Sequence, residues 1–223
     1  MENPGLNCSN RENVTFQVRD IFIHPDFNFP YFDIAIIKLT SYIEFTKGIT
    51  SVCLSRALSD DLTGNAVSLF GWGAIKKDGT PSKFLRGTRQ LIVTSVRNCL
   101  NKIGIFTYED PLYASVFNRT SWLITKKSDG KKSMEALICI EDQDPYGLTG
   151  SCAGDSGGPV VQWAFTPHGG RKYEQVGIVS GGRCSDSGTP SVLTHIGHKK
   201  VLEFIHNVSK FPILICKTSR KIM

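Results

Sequence analysis

The sequence predicts an all-β fold closed by a single helix, on three observations. Eight short runs with β-type patterning recur along the 223 residues, each bounded by Gly, Pro, Asn, Asp or Ser. Only one stretch, His198 to Val208, carries its apolar residues (Val201, Leu202, Phe204, Ile205, Val208) at helical spacing. Apolar residues make up 40% of the chain and aromatics 10%, which is enough for a packed core and too much for a disordered one. Many short strands with turn residues between them are what a barrel or sandwich requires.

The elements follow in order. Phe16 to Ile23 is a strand stopped by His24-Pro25-Asp26, because proline has no N–H for a ladder. Ile34 to Leu39 is the second, and Ala66 to Phe70 the third, running into Gly71-Trp72-Gly73. Arg89 to Val96 is the fourth. From Asn101 to Glu135 no period holds, and an aperiodic stretch of that length in a compact domain reads as an insertion or a functional loop. Ala136 to Ile140, Pro159 to Phe165, Gln175 to Ser180 and Ser191 to Ile196 complete the strands. The helix follows, and Phe211 to Met223 reads as a tail.

Composition excludes several function classes. The 26 Lys+Arg against 20 Asp+Glu leave a net charge of +6 spread along the chain, which argues against a nucleic-acid surface. The densest group, Lys126, Lys127, Lys131 and Lys132, lies among Ser, Asp and Gly and reads as a solvated loop. No apolar run approaches the ~18 residues of a membrane span, so no membrane partner is expected. Seven cysteines without a C-x-x-C pair do not suit a zinc module; no metal and no cofactor is expected. Four sequons, at Asn7, Asn13, Asn118 and Asn207, are glycosylation candidates. With the cysteine spacings they predict a secreted, extracellular, disulfide-bonded glycoprotein. Met1 to Asn10 nevertheless shows neither the charged nor the apolar region of a signal peptide, which is expected upstream.

The most specific motif is Ser151-Cys152-Ala153-Gly154-Asp155-Ser156-Gly157-Gly158-Pro159. Glycines on both sides of a serine let the backbone turn sharply and leave the hydroxyl open. The N–H groups of Gly154 and Ser156 can then converge on one point, as an oxyanion hole requires.

With this string the sequence resembles the chymotrypsin-like (S1) serine proteases, of the secreted arthropod type. Asp33-Ile34-Ala35-Ile36-Ile37-Lys38-Leu39 looks like the strand bearing the family's triad aspartate. Gly71-Trp72-Gly73 looks like its entry to the second barrel, and Val179-Ser180-Gly181-Gly182 with Cys184 and Pro190 like its substrate strand and pocket wall. The resemblance implies two six-stranded Greek-key β-barrels, the first incomplete, with a C-terminal α-helix. The peptidase-like domain would cover residues 1–209: a partial first barrel in 1–85, a second barrel in 86–197 with an insertion at 101–135, and the helix in 198–209. A tail would occupy 210–223. It implies Ser156 as nucleophile, Asp33 as the residue that orients the base, Gly154 and Ser156 as the oxyanion hole, and Asp155 as the activation-linked carboxylate. It also implies bridges Cys99–Cys139 and Cys152–Cys184, and a substrate pocket formed by Gly150, Ser180, Gly182 and Ser191. Gly150 stands where trypsin-like members carry an acid, so cleavage after Arg or Lys is disfavoured and an apolar or smaller side chain expected. Gly181 replaces an aromatic shelf. Protein or peptide substrates are expected, with protease inhibitors or cascade proteins as further partners.

The family runs His, Asp, Ser in chain order, and only 32 residues precede Asp33. The base is expected upstream of Met1, and the five histidines (24, 168, 195, 198, 206) as structural or surface residues. The chain alone is then expected to be nearly inactive. Asp33 and Ser156 lie 123 residues apart, about thirty more than in the family's type enzyme, and the insertion can house the excess. Asp155 would lack its amino-group partner, implying a partly collapsed oxyanion hole. Cys8, Cys53 and Cys216 are left over, with the partner of Cys53 expected in a lost upstream segment. Three readings remain open: an N-terminally incomplete serine endopeptidase, a secreted non-catalytic homologue acting as a binding or regulatory module, and a short isoform without a base.

Overall fold

A computed structural model describes residues 14–75, 79–88, 91–102, 134–143, 149–165, 170–182 and 189–210. Each of the eight predicted runs contains a strand. In the first part of the chain β1 (Val18–Ile23) pairs antiparallel with β2 (Ala35–Leu39), Phe22 opposite Ile36 and Ile23 opposite Ala35. Among the described residues this is a two-stranded sheet, and Ile21, Ile23 and Ile37 on it are more than half exposed.

The second part forms a closed barrel. β4 (Ala66–Gly71), β6 (Leu91–Thr94), β7 (Leu137–Asp142), β10 (Ser191–His195), β9 (Arg171–Gly182) and β8 (Pro159–Phe165) pair antiparallel in that order, and β8 returns to β4. Alternate residues point inward, so Val67 and Leu69, Leu91 and Val93, and Ile138 and Ile140 meet Val160, Val176, Val179 and Leu193 in one core. Burying each such side chain contributes about 1.5–3 kcal/mol. Two short strands attach to the barrel: β3 (Cys53–Leu54), parallel to β9, and β5 (Arg86–Gly87), on β4.

Three helices are described: α1 (Ser59–Leu62), α2 (Val96–Lys102) and α3 (Lys199–Ser209). α3 matches the predicted amphipathic segment to within one residue. It turns Val201 and Phe204 onto Phe32, Ile34 and Ile196, joining the first part of the chain to the barrel's end. Lys210, at φ 55°, ends it by donating its N–H to His206 O. α2 corrects the run predicted over Arg89 to Val96: the ladder stops at Thr94, because Ser95 O accepts the Cys99 N–H and Cys99 and Leu100 bury one helical face. β9 starts earlier than predicted, since Arg171 to Glu174 continue the hairpin with β8 beyond the core.

Cys99 and Cys139 form a disulfide across 40 residues, with Cα atoms 6.2 Å apart, fastening α2 to β7. Cys53 and Cys152 are also disulfide-bonded. The expectation that Cys53 had lost its partner to an upstream segment is therefore corrected. Cys8, Cys184 and Cys216 lie outside the described residues, as do most of the expected insertion with its lysine cluster, the tail, His168, Asn7, Asn13 and Asn118. Asn207 is exposed on α3. No described helix is long and apolar enough to cross a membrane, and no metal-binding group of His, Cys, Asp or Glu occurs among the described residues.

Candidate active site

Ser156 lies exposed in the turn between Cys152 and β8. Gly154, at φ 94°, and Gly157, at φ 80°, give the loop backbone angles that a Cβ would strain. The turn is closed by Asp155 N–H to Cys152 O and Gly158 N–H to Asp155 O, 3.0 and 2.9 Å. It is docked on β9 by two further bonds, Gly157 N–H to Val179 O at 2.8 Å and Val179 N–H to Gly158 O at 3.0 Å.

Asp155 turns inward and is 8% exposed. Its Oδ1 accepts the Gly73 N–H at 2.9 Å and its Oδ2 the Cys152 N–H at 2.9 Å. The carboxylate lies so close to the Gly71-Trp72-Gly73 backbone that a Cβ at Gly71 or Gly73 would come within 2.0–2.4 Å of its atoms. This explains both glycines. It also shows how the buried carboxylate is held by two charge-assisted hydrogen bonds.

Asp33 precedes β2 in a tight turn, Ile34 N–H donating to Phe32 O at 2.9 Å, and Phe32 takes a positive φ of 52°. That conformation is costly for a bulky residue and needs support. Phe32 stacks on His24 (centroids 4.8 Å apart, planes 13°), meets His198 edge-on at 5.4 Å, and has Lys200 Nζ 5.5 Å from its ring centre. Beyond this anchor, Asp33 Oδ2 accepts the Ser180 hydroxyl at 2.7 Å, and Asp33 O accepts the Thr194 hydroxyl at 2.8 Å.

Three of the four expected pocket residues, Gly150, Gly182 and Ser191, also lie close together. Ser191 Oγ accepts the Ser151 N–H at 3.2 Å and the Ser151 hydroxyl at 2.8 Å. A Cβ on Gly182 would lie 2.7 Å from Ser151 Oγ and 3.0 Å from Ser191 Oγ, and one on Gly150 3.7 Å from Ser191 Oγ. The facing walls are thus in contact, lined by hydroxyls and backbone. Sequence reasoning missed Ser151 here, and only its place in the same serine-rich string could have signalled it. It also missed Phe29, whose Cζ would be 3.4 Å from a Cβ on Gly181.

The described histidines have other roles. His24 is 4% exposed, accepts the Asp26 N–H on Nδ1 at 3.0 Å and packs on Phe32 and Phe204. His195 is 2% exposed, with Nδ1 and Nε2 each 2.9 Å from a backbone carbonyl, of Glu135 and Ala57. Burial pushes its pKa down, outweighing the two carbonyls. His198 is held down by burial and by the neighbouring His195, while His206 is exposed on α3.

An antiparallel six-stranded barrel carrying a glycine-flanked serine, and a strand hydroxyl joined to a half-buried aspartate, define a protein of the chymotrypsin-like class. The trypsin family model matches residues 5–205, and the chain belongs to that family. It is 27% identical over 203 residues to a venom serine protease of Polistes dominula, covering 88% of this chain and 60% of that one. It is 28% identical over 183 residues to serine protease 41 of Homo sapiens, covering 81% and 49%, and 26% identical over 189 residues to serine protease filzig of Drosophila melanogaster, covering 83% and 10%. The chain therefore spans only part of the length of the curated relatives it matches. A solved structure of neuropsin, a serine protease expressed in the limbic system of mouse brain, aligns with a TM-score of 0.61 at 20% identity, over 87% of this chain and 71% of that one. That likeness shows the fold.

Proposed function

We propose that this chain carries the nucleophile and aspartate of an extracellular serine endopeptidase. The observation that carries the reading is strand β9. Its Val179 O holds the loop of Ser156 through the Gly157 N–H, and its next residue, Ser180, holds the Asp33 carboxylate. One strand therefore sets both residues. In the reaction, Ser156 Oγ bonds to a substrate carbonyl carbon, and the oxygen takes up charge against the N–H groups of Gly154 and Ser156. The C–N bond breaks as the departing amine gains a proton, and water releases the acyl group from Ser156.

The Ser156 proton needs a base, and no described histidine hydrogen-bonds the Asp33 carboxylate. His24 and His195 have both ring nitrogens engaged by backbone groups. Loss of the base from such a unit costs about a millionfold in turnover in subtilisin. With no described histidine in that place, we expect the 223 residues alone to be close to inactive as a peptidase. Asp155 is held by its two backbone N–H bonds, which supports an ordered loop around Gly154 and Ser156.

Among the described residues, the pocket of Gly150, Ser151, Gly182 and Ser191 presents no carboxylate, and contact between its walls favours a small uncharged side chain. Protein or peptide substrates, and protease inhibitors or cascade proteins, are the matching partners. Disulfide bonding at Cys53, Cys99, Cys139 and Cys152 supports an extracellular setting. A second reading, a non-catalytic binding or regulatory module, is favoured by the place of His24 inside the aromatic core. Boron-11 NMR with an acetyl-alanine boronic acid separates the two. A tetrahedral adduct present in the wild type and absent in Ser156→Ala supports the endopeptidase reading; a trigonal boron in both supports the module.

A further inference from the structure

Of the four Asn-x-Ser/Thr strings in the sequence, Asn207-Val208-Ser209 falls on the described residues, in the last turn of α3. The helix turns Val201 and Phe204 into the core and packs Val208 against its edge, while Asn207 is exposed together with Glu203 and His206. Lys210, at φ 55°, then ends the helix through its N–H bond to His206 O at 3.0 Å. A bulky polar group on Asn207 would therefore lie over the solvent side of the helix end. It would displace none of the apolar contacts that hold α3 on Phe32, Ile34 and Ile196.

We infer that Asn207 is a modification site that carries an N-linked oligosaccharide, attached before α3 forms. The inference rests on the extracellular reading given above, which brings the chain past the transferring enzyme. In the transfer, Asn207 Nδ2 loses a proton and bonds to C1 of the first N-acetylglucosamine, and the lipid pyrophosphate that carried the oligosaccharide departs with the electron pair of the broken C–O bond. The acceptor amide and the hydroxyl two residues later have to face the enzyme together, which a turn or a loose backbone permits. Within α3 they do not, because residues two apart lie about 200° apart around a helix. Ser209 Oγ instead points back along the chain and donates to His206 O at 3.4 Å. The folded helix end is thus a poor acceptor but an open host: the sugar joins the unfolded segment, and the last turn closes beneath it.

The test uses the full chain secreted from insect cells behind an added leader. It is digested with trypsin and treated with peptide N-glycosidase F in oxygen-18 water, which turns a glycosylated asparagine into a labelled aspartate. Fragment 201–210 is expected to carry the label in the wild type and in Ser209→Thr, and to lose it in Ser209→Ala. An unlabelled fragment 201–210 in the secreted wild type overturns the inference, even where fragments holding Asn7, Asn13 or Asn118 are labelled. Purified oligosaccharyltransferase is expected to modify the free peptide 201–210 roughly tenfold faster, or more, than the folded unglycosylated chain, which has to open its last turn first. Equal rates overturn the order of events. Thiol titration of the same secreted material tests the extracellular reading apart from the sugar: oxidised cysteines support it, and free thiols at Cys99 and Cys139 overturn it.

Discussion

Gly73→Ala is the most informative single perturbation of the site. The new methyl would lie 2.3–2.4 Å from the Asp155 carboxylate atoms, far inside contact distance, so the carboxylate has to leave. It would give up the Gly73 and Cys152 N–H bonds, both 2.9 Å. A hydrogen bond to a charged group is worth about 1.5–3 kcal/mol net, so two give about 3–6 kcal/mol, and rehydration of the displaced carboxylate returns part of it. A loss of about 3 kcal/mol is expected. Urea denaturation of the full chain, read by tryptophan fluorescence, measures it as a lower midpoint at unchanged slope. Because Asp155 precedes Ser156 directly, the variant should also bind the alanine boronic acid at least tenfold more weakly. A midpoint shift worth under 0.5 kcal/mol with undiminished boronate affinity would refute the role assigned to this carboxylate.

Further outcomes follow from the same contacts. Replacing both Cys99 and Cys139 by serine opens a 40-residue loop, and chain entropy sets the expected loss at about 4 kcal/mol, measurable by urea unfolding. A loss below 1 kcal/mol would mean that the bridge constrains little. Burial holds the pKa values of His195 and His198 below the ordinary 6.5, so the unfolded chain takes up protons before the folded one. Stability should therefore be complete above about pH 7 and fall as pH drops through the unfolded value of about 6.5, by at most ~1.4 kcal/mol per pH unit for each group. Asp26, whose pKa is lowered chiefly by its hydrogen bond to Lys200, loses its contribution only as pH falls below its ordinary 3.8. A His195→Gln variant should flatten the slope between pH 7 and 5.5; an unaltered slope would assign it elsewhere. His24→Ala, which removes the ring stacked on Phe32, should destabilise the chain by about 2–4 kcal/mol in the same assay.

What the sequence revealed depended on how local each signal was. Pro159–Phe165 and α3 were legible because a strand bounded by Gly-Gly-Pro and an apolar stripe at helical spacing are encoded in a dozen residues. α2 was hidden, because Val96 follows closely on the β-branched run Ile92-Val93-Thr94 and only the Ser95–Cys99 bond decides for a helix. β9 was cut short at its start because its polar outer half has no core to mark it. At the site, the Gly154–Pro159 string and the Asp33 strand stood out by residue type. Their geometry did not, since it joins distant positions: Ser180 to Asp33 across 147 residues and Gly73 to Asp155 across 82. The Ser151–Ser191 contact and the covering of Gly181 by Phe29 are invisible for the same reason. The glycine at 181, which suggested an absent aromatic surface, instead leaves room for a ring supplied from another turn.

What we propose at the centre is that Ser156 and Asp33 are placed for peptide hydrolysis and that none of the five histidines of this chain serves as their base. Steady-state cleavage of an alanine-bearing peptide anilide by the purified 223-residue chain, with Ser156→Ala beside it, tests that claim most directly. The account predicts turnover near the uncatalysed background in both proteins. Turnover of about 1 s⁻¹ or more, ordinary for enzymes, that disappears both in Ser156→Ala and in a variant of one of the five histidines would contradict it.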